Sequence, residues 1–162
     1  MRAVGFDPGL ADTGFAALES GRGTLTVLGS GVVHTHAGEP LEVRLEQLFD
    51  GIHGVLASFT PDLLVIEDVF SAPGAPRTAI LMGHARGVIC LAGQQRKVPI
   101  LAVTPAEVKR AVTASGAAPK AQVARAVQAL LGLPAPPRPS HVADALALAF
   151  TGLSRARAVG RR

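Results

Sequence analysis

The sequence predicts an α/β protein: a mixed sheet, three antiparallel strands followed by parallel strands, with helices on both faces. Short β-prone runs punctuated by glycine fill the first 34 residues, helical periodicity begins at Pro40, and strand-like and helix-like runs alternate after that. At 162 residues the chain suits one domain, expected over 1–153. Residues 154–162 form a basic tail without an apolar face and are expected to be disordered.

The elements follow in order. Ala3–Phe6 is a buried strand that ends at Asp7-Pro8-Gly9. Gly14–Glu19 and Leu25–His34, separated by Ser20-Gly21-Arg22-Gly23, complete a three-strand meander. From Pro40 to Ser58 the apolar residues Leu41, Leu45, Leu48, Phe49, Ile52, Val55 and Leu56 recur at helical spacing opposite Glu42, Glu46 and Asp50. Gly51 and Gly54 weaken this helix by roughly 1 kcal/mol each relative to Ala, so packing must hold it. Leu63–Phe70 is a continuous apolar run interrupted by Glu67-Asp68, the pattern of a buried parallel strand with polar groups at its exit. A Pro/Gly loop follows, then a helix defined by Thr78, Leu81, Met82, Ala85, Val88, Ile89 and Ala92. Val98–Val103 is a strand, Pro105 suits the first turn of a helix reaching Val112, and Lys120–Leu131 is helical. Pro134–Pro139 is a stiff connector, and Ser140 caps a last helix with Val142, Leu146, Ala149, Phe150 and Leu153 as its stripe.

Composition excludes several classes. No apolar stretch approaches ~18 residues, so no membrane span is expected. Arg2 is followed by too few apolar residues for a signal peptide, which predicts a cytoplasmic protein. The single cysteine, Cys90, rules out an internal disulfide or a cysteine-based zinc site, and its apolar neighbours suggest a buried, inert thiol. Charge is segregated: residues 1–68 hold three Lys or Arg against ten Asp or Glu, a balance of −7, and residues 69–162 hold thirteen against two, a balance of +11, which together give the net +4. A strongly basic half is the footprint of a polyanion binder or an ordinary solvated surface.

Three places offer metal-seeking groups: Asp7 after one strand, Glu67 with Asp68 after another, and His141 with Asp144 three apart on one helix face. Asp7 alone reads first as the cap of its turn, and only the other groups favour a site. Adjacent strand residues face opposite ways, so one of Glu67 and Asp68 enters any site, and spacing does not say which. Together the groups suit hard divalent cations, which take oxygen ligands from several elements and serve phosphodiester hydrolysis.

Ala3-Val4-Gly5-Phe6-Asp7-Pro8-Gly9 with Thr13-Gly14, Val65-Ile66-Glu67-Asp68-Val69-Phe70, Gly83-His84-Ala85-Arg86-Gly87-Val88 and Ala143-Asp144-Ala145-Leu146-Ala147 resemble, in order, the motifs of the RuvC family of bacterial Holliday junction resolvases. The resemblance implies a ribonuclease-H-like fold and a homodimer with two active sites. It also implies symmetric Mg²⁺- or Mn²⁺-dependent nicking of four-way DNA junctions, with two ions per site, in cooperation with the RuvA–RuvB branch-migration complex. By position, Asp7, Glu67, His141 and Asp144 resemble the catalytic metal-binding set, and only the resemblance selects Glu67 over Asp68. Many relatives have Asp at the position of His141, which acts as a ligand or as a general acid or base.

Phe70 resembles the aromatic that stacks on an unpaired base, with core packing as its competitor. Lys109 and Lys120 resemble phosphate-holding lysines or are snorkelling surface groups, and Arg77 is a further DNA-contact candidate. Gly83-x-x-x-Gly87 marks a close-approach face for dimerisation or for packing on the sheet. The rivals are a catalytically silent junction-binding protein, an actin-like or sugar-kinase ATPase for which the chain is too short, and a nuclease of the same fold that acts on RNA precursors.

Overall fold

The computed structural model describes residues 1–21, 23–68 and 76–159. Among them, ten elements follow one another: β1 (Arg2–Asp7), β2 (Asp12–Ser20), β3 (Leu25–His34), α1 (Leu41–Phe59), β4 (Leu63–Glu67), α2 (Pro76–Gln95), β5 (Ile100–Val103), α3 (Pro105–Thr113), α4 (Lys120–Leu131) and α5 (Ser140–Val159). The strands form one sheet in the order β3-β2-β1-β4-β5. The meander is antiparallel, whereas β4 runs parallel to β1 and β5 parallel to β4, as the pattern of runs predicts.

Side-chain parity divides the sheet into two faces. Val4 and Phe6 of β1 with Leu64 and Ile66 of β4 pack against Leu48, Ile52 and Leu56 of α1 and Ala85, Ile89 and Ala92 of α2. Ala3 of β1, Ala16 and Leu18 of β2, and Val65 of β4 pack instead against α5. Beside Leu18 and Val65, that second face has glycine and alanine where α5 lies close to the strands. A Cβ at Gly5 would stand 2.2 Å from the Ala145 carbonyl oxygen, and one at Gly152 would stand 2.3 Å from Val65.

On its outer side α5 is covered by Val108 and Val112 of α3 and Val123 and Val127 of α4. The expected single stripe on α5 is therefore too narrow. Ala143, Ala145, Ala147 and Leu148 are buried as well, because the helix is sandwiched between a sheet and two helices.

The C-terminal segment also departs from expectation. Residues 154–159 continue α5 rather than fraying into a disordered tail. Arg155 donates to Glu107 of α3, and Arg157 donates to Ser20 at the end of β2, so the last turns are tied to two other elements. Cys90 is a half-buried free thiol on α2, not a fully buried one. No helix of the described residues is long and apolar enough to cross a membrane.

Candidate active site

β1 and β4 are parallel neighbours in register, with Phe6 beside Ile66, so the next residues along, Asp7 and Glu67, leave the sheet side by side at its C-terminal edge. Both occupy odd positions, like Ala3 and Val65, and so project to the α5 face. Asp68 has the opposite parity. Its carboxylate accepts from Arg86 of α2 at 3.2 Å, while its own N–H donates to the Val103 carbonyl. Of the two adjacent carboxylates, Glu67 is thus the one on the cavity.

The loop after Asp7 is held in place by a threonine. The Thr13 hydroxyl donates to the Gly9 carbonyl at 2.7 Å and accepts from the Gly9 N–H, which fixes the turn whose Pro8 and Gly9 line the cavity beside Asp7. Gly14, paired with Asp7 across β1 and β2, has a separate purpose. A Cβ there would lie 2.2 Å from the His141 carbonyl oxygen, so only glycine lets the first turn of α5 rest beside Asp7. As a result the His141 ring nitrogen Nδ1 stands 2.7 Å from Asp7 Oδ2, across 134 residues of sequence. Asp144, one turn further along, lies 3.6 Å from the Lys120 ammonium at the start of α4.

Asp7, Glu67, His141 and Asp144 line one cavity of about 480 Å³ together with Lys109 and Lys120. All four metal-seeking candidates and both lysine candidates therefore converge. Arg77 does not: it is exposed on the first turn of α2 and is not part of the cavity wall. Phe70 lies outside the described residues. Thr78 and Met82, one turn apart on α2, also line the cavity, although periodicity assigns them simply to that helix's apolar stripe. Only the i, i+4 spacing of a hydroxyl and a thioether at the start of α2, just after the Glu67-Asp68 exit, could have signalled this.

The electrostatics are those of crowded, partly buried carboxylates. Burial raises the Asp7 carboxyl above its ordinary value, opposed by the His141 hydrogen bond and reinforced by Asp144. Glu67 is pushed up to about 7, first by burial and then by the charges of Asp7 and Asp144, with Lys120 and Lys109 pulling the other way. Three carboxylates and an imidazole from three elements form an oxygen-rich donor set, and the repulsion among the carboxylates is what a hard divalent cation would relieve. The donor chemistry therefore fits such an ion. Among the described residues no three of these groups already close into a ligand cluster; Asp7 is bonded to His141, and Asp144 is paired with Lys120.

Residues 3–152 match the sequence family described as crossover junction endodeoxyribonuclease RuvC. A protein of that name from Rhodopirellula baltica is 42% identical over 149 residues, 92% of this chain and 84% of the relative. Thermus thermophilus RuvC superposes with a TM-score of 0.89 at 35% identity, covering 98% of this chain and 97% of that one. The Thermus thermophilus RuvC solved in complex with Holliday junction substrate gives 0.87 at 32%, covering 98% and 96%. The sheet with helices on both faces is the ribonuclease-H-like fold of those structures, and the chain belongs to the RuvC family of crossover junction endodeoxyribonucleases.

Proposed function

We propose that this chain resolves Holliday junctions during recombination and repair of DNA in the cytoplasm, hydrolysing one phosphodiester in each of two strands of a four-way junction. The observation that carries the proposal is the convergence of Asp7, Glu67, His141 and Asp144 in one cavity flanked by Lys109 and Lys120, in a chain of this family.

In this reading Asp7, Glu67, Asp144 and His141 hold Mg²⁺ or Mn²⁺, two ions per site, with Asp7 the most central ligand. Such ions, when bound, supply Lewis-acid polarisation of the phosphodiester and a water acidic enough to attack it. The chain's own groups do the rest. Lys109 and Lys120 offset the charge of the incoming phosphate, without which the carboxylates would repel it. The raised Asp7 and Glu67 carboxyls are neutral more often than free carboxylates, so metal binding displaces protons from them. His141 orients Asp7 through the Nδ1 contact and either ligates metal or moves a proton with its ring.

Two copies of the chain supply the two cuts. The exposed face of α2 is the surface we assign to their contact, because Ile80 and Leu91 are 61% and 52% exposed there and Gly83 and Gly87 have open space around them. Phe70 is assigned to stacking on an unpaired base, Arg77 to a phosphate nearby, and the RuvA–RuvB complex to delivery of the junction.

The test is incision of a mobile synthetic four-way junction beside a linear duplex of the same sequence, in both metals. Paired cuts on the junction and silence on the duplex support the proposal. A bound but uncut junction would instead favour the silent binding protein, and cutting of structured RNA alone would favour the RNA nuclease. Imidazole prefers Mn²⁺ to Mg²⁺, so ligation by His141 predicts faster cleavage in saturating Mn²⁺ at neutral pH. Equal or slower rates in Mn²⁺ would leave His141 as an acid or base.

A further inference from the structure

A second cavity of about 470 Å³ lies between α4 and the proline connector that precedes α5. It shares Lys120 and Asp144 with the active-site cavity, so the two adjoin at that pair. Its other charged groups are Arg125, one turn and a half along α4, and Arg138, both exposed. Among the described residues neither guanidinium has an acidic partner, whereas Arg2, Arg86 and Arg155 do. The lone carboxylate in the groove, Asp144, is paired with Lys120.

The backbone supports the same use. Arg138 stands between Pro137 and Pro139, whose rings fix φ on either side, so its guanidinium is presented with little loss of backbone freedom. The first turn of α4, with Pro119 as N-cap, has no side-chain cap, and its first residue, Lys120, lines the groove. The Ser140 hydroxyl lines the wall as a further donor.

We infer that this groove is a phosphate-binding extension of the active site. Arg125 and Arg138 hold the sugar–phosphate backbone of the DNA that leaves the catalytic cavity past Lys120. The inference rests on the junction-cleaving function proposed above. Guanidinium forks match phosphate oxygens, and contacts of this kind fix the strand's direction without reading its sequence. Two such contacts beyond the scissile position would hold the strand against the carboxylates from one side.

The experiment is binding of the full chain to a four-way junction without divalent metal, followed by fluorescence anisotropy across a range of salt concentrations, for wild type and for R125Q/R138Q. Each lost phosphate contact should lower the slope of log K against log salt by about 0.9, so the double variant should be shallower by about 1.8. At ~0.15 M salt its affinity should be on the order of 10–30-fold weaker. The pair R125K/R138K, which keeps the charge, should retain the wild-type slope. Both arginines are exposed and unpaired, so the thermal melt should not move. If it does, R125Q and R138Q measured singly should each still show a loss of about 0.9. A wild-type slope and affinity in a double variant that melts like wild type would overturn the inference while leaving the cleavage function intact. A wild type that cuts no junction would count against the function instead.

Discussion

The two faces of the sheet are made from alternate residues of the same strands, and they are packed differently. On the α1/α2 face, Phe6 and Ile66 meet Leu48, Ile52, Leu56 and Ile89, all fully buried, each contributing about 1.5–3 kcal/mol. On the α5 face, glycine and alanine let a helix lie against the backbone, and the strands end in Asp7 and Glu67. Large side chains stabilise one face. Small ones on the other bring a helix close enough for its first turn to share a cavity with two strand-end carboxylates. Charge does not follow the same division: α1 carries Glu42, Glu46 and Asp50, but α2 on the same face carries Arg77 and Arg86, and Lys109, Lys120 and Arg125 lie on the helices of the other face.

Removing a carboxylate from the α5 face should have the largest effect. Asp7→Asn should lower junction cleavage by about 10³-fold or more while binding persists, measured under single-turnover conditions. Undiminished cutting would remove Asp7 from the site. Next comes the close packing. Gly14→Ala drives a Cβ against the His141 carbonyl oxygen, so it should displace the start of α5 and cost about 1–3 kcal/mol in thermal unfolding together with most of the activity. Gly54→Ala on α1, where a Cβ meets nothing within 4 Å, should instead stabilise the protein by about 0.5–1 kcal/mol. A similar cost at Gly54, which is exposed, would mean that the loss at Gly14 does not come from the clash with α5.

The smallest effect is electrostatic. Glu67 is raised from 4.5 to about 7 in the folded chain, so the fold binds a proton there more readily than the unfolded chain does. The associated stabilisation is full below about 4.5 and is lost as pH rises through about 7. Asp7, also raised, acts in the same direction. Without divalent metal, the protein should therefore melt a few degrees lower at about pH 8 than at about pH 5. Glu67→Gln should flatten that difference by about 1–2 kcal/mol, after allowance for the side chain's partial exposure. A slope unchanged by Glu67→Gln would mean the carboxyl titrates as if it were in water.

The order of elements was legible because local signals set it: glycine punctuation for the meander, helical spacing for α1, and Pro105 for the first turn of α3, to which the structure adds a capping box of Thr104 and Glu107. The partition of carboxylates was not legible. It depends on the register of β1 against β4 and on which helix covers which face, and neither is a local property. Asp68 looks as suitable as Glu67 in the sequence but is turned to Arg86. Residues 154–159 looked like a solvated basic tail because their partners, Glu107 and Ser20, are distant in sequence. The burial of most of α5 between Val142 and Leu153 escaped for a similar reason, since a run of alanines reads as a modest stripe until helices on the outside are known.

Strand parity turns Glu67 to the cavity and Asp68 to Arg86, so the adjacent pair separates the two carboxylates. Cleavage of a four-way junction by Glu67→Gln and Asp68→Asn should be measured side by side under single-turnover conditions. Glu67→Gln should fall by about 10³-fold, whereas Asp68→Asn, which loses only a partly exposed ion pair with Arg86, should stay within about fivefold of wild type. Equal losses, or a greater loss for Asp68→Asn, would contradict the account.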